Sequence, residues 1–210
     1  MDREEVQVET LKGKTLAEKV AGGFRQHFID NLALTASAVP FFALVETTKG
    51  HMTWQESLAT RTGAFLLGLA GVGSLYSRGS DWTRKIINVS DRTNEFAQWV
   101  ADITYCAGFN FLASMVLYPI TANKSLDEAF VPALWAGVTG AVVGIPNRAA
   151  LSVYRDLTNI APCERTWYPQ FMRDLEKNTK LLTATTLTAG SAALTAGIYY
   201  FTNQSNIISY

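Results

Sequence analysis

Charged side chains are scarce in this 210-residue chain: they make up 17%, against roughly 25% in an ordinary soluble domain. Hydrophobic residues make up 48%, so a disordered polymer, which needs high charge and few apolar groups, is excluded. Two cysteines exclude a disulfide scaffold, and no glycine period supports a collagen-like rod. The only histidines, His27 and His51, are far apart, and Cys106 and Cys163 form no CxxC. Metal or thiol catalysis is therefore not expected. No Walker loop or dinucleotide fingerprint is present, so no nucleotide cofactor is expected either. Eighteen basic side chains balance eighteen acidic ones, which removes any bulk attraction to nucleic acid. The sequence reads as a protein that is not an enzyme and holds no cofactor.

The charges that are present are distributed unevenly. Five windows lack Asp, Glu, Lys and Arg altogether: Asn31–Val45, Thr62–Ser77, Ile103–Asn123, Ala129–Asn147 and Leu181–Tyr210. A helix needs about 20 mainly apolar residues to cross a ~30 Å hydrocarbon core, so the last three windows suffice alone. The first two need flanking residues to reach that length. The polar opening, Met1-Asp-Arg-Glu-Glu and onward to about Gly23, lacks the apolar stretch of a cleavable signal and is expected to be a cytosolic arm. Fifteen of the eighteen basic residues fall before the first window, between the second and third, and between the fourth and fifth. The positive-inside rule then predicts five spans in the inner membrane, with a cytoplasmic N-terminus and the C-terminus outside.

Laying Asp30 on Asp102 sets, at the same offset, Glu56 on Glu128, Ala64 on Ala136 and Gly68 on Gly140. Thr53 with Glu56, and Ser125 with Glu128, have capping-box spacing and are expected to start the returning helices. The predicted fold is an all-α polytopic membrane bundle: two tandem two-helix repeats, about 24–95 and 96–160, plus a fifth C-terminal span. The arm 1–23 precedes the repeats; a cytosolic loop over 161–180 separates them from residues 181–210. The repeats run parallel, about an axis along the membrane normal.

Ionisable groups at membrane depth are costly and mark candidate sites. Asp30 and Asp102 open the first and third spans, where Arg78 and Arg148 close the second and fourth, so all four share one depth. They read either as interfacial pairs or as groups that bind an amino acid's ammonium and carboxylate and carry a coupling proton. Asn110 and Asn147 add uncharged partners for a small polar solute. Glu46 and Arg61 flank the opposite turn and are candidates for an outer gate or a plain salt bridge. Pro40, Pro119, Pro132 and Pro146 each remove a backbone donor and free a carbonyl. Ala136, Gly140 and Gly144 form a small-residue stripe suited to packing within one bundle or between subunits.

These residues resemble the L-alanine exporters, small bacterial inner-membrane proteins, over about Phe28 to Leu157. The stretches that carry the resemblance are Glu46 through Thr53-Trp54, Ser57 to Arg61, Tyr76 with Arg78, and Ala101-Asp102-Ile103 followed by Phe109-Asn110. It implies proton-driven export of L-alanine or a related small neutral amino acid, with no bound cofactor. The polar arm up to Gly23 and the Arg155–Tyr210 region have no place on the four-span family. The expected partners are membrane lipid, the amino acid and further copies of the chain in a homo-oligomer. An oligomeric pore and a membrane scaffold without transport activity are the alternatives.

Overall fold

A computed structural model describes residues 16–89, 95–163 and 167–208. The chain is an all-α bundle: α1 Leu16–Thr48, α2 Trp54–Leu67, a π-helical turn Gly68–Val72, α3 Gly73–Ile86, α4 Glu95–Thr121, α5 Leu126–Leu157, α6 Gln170–Arg173 and α7 Lys177–Ile208. Residues 1–15 of the expected arm lie outside the described residues, and Leu16–Gly23 continues as helix into α1. Among the described residues four stretches are long and apolar enough to cross a membrane: Ala21–Thr48, Phe96–Thr121, Leu126–Leu157 and Lys177–Gln204. The protein is therefore membrane-embedded.

The expected second span is not one uninterrupted helix. Gly71 takes φ 115°, a conformation open to glycine, and separates the apolar α2 from the amphipathic α3, which carries Arg84 and Lys85 in its last turn. The break leaves backbone carbonyls to be satisfied, and α1 supplies the donors. His27 Nε2 lies 2.7 Å from the Gly68 carbonyl, and Asn31 Nδ2 donates to the Phe65 carbonyl at 2.9 Å. The direction of the segments still alternates. Glu46 lies beside Ser57 and Asn31 beside Phe65, whereas Asp102 meets both Arg84 and Arg148. One end of the bundle thus carries Glu46, Tyr118 and Tyr199, and the other carries Asp30, Asp102 and Lys180.

Prolines inside helices open further backbone sites. Pro40 cannot donate to the Ala36 carbonyl, and Ser191 of α7 donates to that oxygen at 2.7 Å. The hydroxyl-rich α7 is thereby fastened to α1. Between α4 and α5, Ala129, Ala133 and Ala136 are fully or almost fully buried, and they pack with Tyr118 and Val143 into the core. Large apolar side chains such as Leu112, Val116, Ile120, Val142 and Leu194 point outward, as a lipid-facing surface requires.

Local geometry recurs along the chain. His51 and Asn123, paired by the offset that lays Asp30 on Asp102, both turn the chain with φ 51°. The capping boxes Thr53/Glu56 and Ser125/Glu128, related by that same offset, both form. Beyond Gly68 and Gly140 the offset shortens by one: Ile87 and Thr158 cap their helices, and Asn88 and Asn159 follow with φ 54° and 56°. The kink at Gly71, within Gly68–Val72, lies in the interval where the extra residue must be absorbed.

Candidate ion-pair clusters at the two ends of the bundle

Three buried carboxylates anchor the candidate sites. Glu46 ends α1 and is 1% exposed. Its Oε1 accepts from Arg61 Nη2 at 2.5 Å and from the Tyr118 hydroxyl at 2.6 Å, and its Oε2 accepts from Ser57 at 2.6 Å. Ser57 also meets the Tyr199 hydroxyl at 2.9 Å, so α1, α2, α4 and α7 converge on one side chain. The Arg61 guanidinium sits over the Phe42 ring, 4.4 Å from its centroid. The expected Glu46–Arg61 pair is present, and it is a buried network rather than a surface bridge. Arg61 Nε is buried and has no acceptor, leaving one donor unmet.

Asp102 accepts from Arg84 Nε and Nη2 at 2.9 and 2.7 Å, and from Arg148 Nη1 at 2.9 and 3.1 Å. Two guanidinium groups therefore share one carboxylate, which is 7% exposed. Asp30 does not join this group. It accepts from Arg155 Nε and Nη2 at 2.7 and 2.5 Å, at a more open site where side-chain exposure is 33% for Arg155 and 21% for Asp30. Of the four residues expected at one depth, Asp102 and Arg148 pair with each other, while Asp30 stands at a separate site with Arg155. Arg78 lies on α3, and its side chain is outside the described residues.

Arg84 and Arg155 were not among the expected residues, yet they hold equivalent places. The shortened offset lays Arg84 on Arg155, as the longer one lays Asp30 on Asp102. Each arginine binds the aspartate of the other half through the same Nε–Oδ1 and Nη2–Oδ2 fork. Glu46 and Tyr118, a further equivalent pair, meet directly. The third buried carboxylate, Asp156, was also unanticipated. It is held by Lys180 at 3.1 Å and by the Tyr168 hydroxyl at 3.0 Å, tying α5 to α7 and the intervening segment. Burial, and then the bond to Asp156, push the Tyr168 phenol above its ordinary pKa.

The asparagines serve the backbone and neighbouring hydroxyls. Asn110 donates to the Cys106 carbonyl at 2.8 Å, and Asn147 accepts from Ser37 at 2.7 Å. Cys106 lies 2.6 Å from the Tyr76 hydroxyl, and Tyr76 packs edge-on against Phe109. Gly140 and Gly144 face α4 of the same chain: a Cβ on Gly140 would lie 2.6 Å from the Cys106 carbonyl oxygen, and one on Gly144 3.3 Å from the Cys106 side chain. With Ala136 they make the close approach of α4 and α5, so this stripe is already covered inside one protomer. Among the described residues no group of His, Cys, Asp and Glu could hold a metal ion.

A groove of about 730 Å³ lies between α1, α2 and α7, lined by Leu32, Val39, Trp54, Arg61, Ala196 and Tyr199 among others. Asp30, Asp102 and Arg148 take no part in its walls.

No protein family, no curated protein and no solved structure matches this chain.

Proposed function

We propose that this bundle is a small exporter that moves L-alanine or a related small neutral amino acid out of the cell, driven by the proton gradient. The observation that carries the reading is convergence. The stretches resembling the alanine exporters are scattered from Glu46 to Asn110, yet their side chains gather at two places. Glu46, Ser57 and Arg61 share one network. Tyr76 meets the Cys106 side chain and the Phe109 ring, and Asn110 donates to the Cys106 carbonyl, one turn from Asp102.

The two ends supply the chemistry that export requires. Arg61 has an unmet buried donor, which a substrate carboxylate would satisfy. The Asp102 carboxylate holds Arg84 and Arg148 together, so the aspartate end is where loss of one charge would release two helices. With the more basic segments in the cytoplasm, that end faces inward and the Glu46 network faces outward.

The test is efflux of preloaded alanine from proteoliposomes under an imposed proton gradient. Gradient-dependent efflux that Asp102→Asn abolishes is expected. Efflux equal to that of empty liposomes would sink the proposal. A second reading, a membrane scaffold, is favoured by the pairing of Asp102 with two arginines. It predicts no alanine flux from a correctly folded wild-type protein.

A further inference from the structure

The groove between α1, α2 and α7 differs in chemistry from both ion-pair networks. On α2 its lining runs from Trp54 to Phe65, and on α7 from Ala192 to Asn203. Eleven residues of helix rise ~17 Å, about half of a ~30 Å hydrocarbon core. The groove is therefore one leaflet deep. Trp54 starts α2 and Asn203 lies near the end of α7, both at the Glu46 end, where Tyr200 stands beside them. An aromatic and amide rim of this kind belongs at the level of lipid headgroups.

Below the rim three polar side chains of the wall already have partners within the bundle. The Arg61 guanidinium is paired with Glu46 and stacked on Phe42. Tyr199 bonds Ser57, and the Thr195 hydroxyl donates to the Ser191 carbonyl at 2.9 Å. Leu32, Val39, Leu58, Phe65, Ala192 and Ala196 supply the apolar part of the lining. The one charged side chain of this wall, Arg61, is already paired with Glu46, and most of the remaining wall is apolar. The volume falls within the ~300–1,000 Å³ usual for ligand sites and far exceeds the needs of a small amino acid. Leu58, Ala192, Ala196 and Tyr200 are exposed at the surface of the bundle, so a hydrocarbon chain can enter sideways from the bilayer.

We propose that the groove is a binding site for one acyl chain of a phospholipid in the leaflet at the Glu46 end, with its head at Trp54, Tyr200 and Asn203. The site lies apart from Asp30, Asp102 and Arg148, which take no part in its walls. Its occupant braces α7 against α2, whose direct polar link is the Ser57–Tyr199 bond.

The test uses full-length protein with Trp54 as its only tryptophan, the other four replaced by phenylalanine, in vesicles of phosphatidylcholine brominated midway along one acyl chain. Trp54 fluorescence is expected to be quenched. Ala196→Phe, which fills the groove, is expected to reduce that quenching at least twofold. Leu187→Phe, on the exposed face of the same helix, is expected to leave it unchanged. Phospholipid retained after detergent purification, counted by native mass spectrometry, should fall by one molecule per protomer in Ala196→Phe alone. Quenching and lipid count that are the same in wild type and Ala196→Phe overturn the proposal, as does an equal effect of both substitutions. If Ala196→Phe does not fold, Thr62→Phe on the opposite wall carries the same comparison. Alanine flux enters neither outcome.

Discussion

Asp102 and Asp30 are both aspartates bound by a forked arginine, yet their surroundings give them different energetic weight. Asp102 is buried between Arg84 and Arg148, so replacing it with asparagine leaves two guanidinium groups without a counter-charge in a low-dielectric setting. Breaking a buried pair from one side costs about 3–5 kcal/mol. Asp30 and Arg155 remain partly exposed, and pairs of that kind contribute roughly 0.2–1 kcal/mol. Reversible unfolding in mixed micelles should therefore show Asp102→Asn destabilised by about 3–5 kcal/mol and Asp30→Asn by no more than about 1 kcal/mol. Equal losses would mean that burial does not separate the two sites.

Helices in this protein are interrupted where another helix can complete their hydrogen bonding, and Pro40 with Ser191 is the clearest case. The Ala36 carbonyl lacks its helical donor because of Pro40, and Ser191 supplies one from α7. Removing Ser191 alone orphans that carbonyl, while Pro40→Ala restores the intrahelical donor and makes the serine dispensable. Ser191→Ala is thus expected to destabilise by about 0.6 kcal/mol, the average for hydrogen bonds between membrane helices, and by no more than about 1.7 kcal/mol. In a Pro40→Ala background the same change should cost little, and thermal unfolding of the four variants measures the difference. Much of this element-level structure was legible in the sequence. Capping boxes at Thr53 and Ser125 depend on side chains within a single helical turn and form as expected. Glu46 and Arg61 were legible because a turn must bring the ends of neighbouring helices together. The Pro40–Ser191 relation joins distant parts of the chain and leaves no local signal. The break at Gly71 was hidden for another reason: the window Thr62–Ser77 lacks charge throughout, and composition alone does not distinguish a straight helix from one with a π turn.

At the scale of the whole molecule, the same kink at Gly71 explains why Arg84 and Arg155 escaped notice. A uniform offset that lays Asp30 on Asp102 also lays Arg84 on Asp156, so the equivalence appears only when one extra residue is allowed between Gly68 and Arg84. With that allowance the two halves hold each other symmetrically, each arginine reaching across to the aspartate of its counterpart. Glu46 and Tyr118, a further pair at the longer offset, also meet across the two halves. This mutual hold has a consequence that a chance ion pair does not. If Asp30–Arg155 joins the halves by charge, the sign of each partner is interchangeable. Asp30→Arg alone sets two guanidinium groups face to face, and Arg155→Asp alone sets two carboxylates together; each should lower the thermal midpoint. The double exchange, Asp30→Arg with Arg155→Asp, restores an opposite pair and should recover most of the loss, with a coupling energy of roughly 0.5–3 kcal/mol in the cycle. Arg155 lies on α5 and Asp30 on α1, so recovery reports a contact between halves rather than a repair within one helix. A double variant no more stable than the worse single one would show that the fork at this site does not fasten the halves.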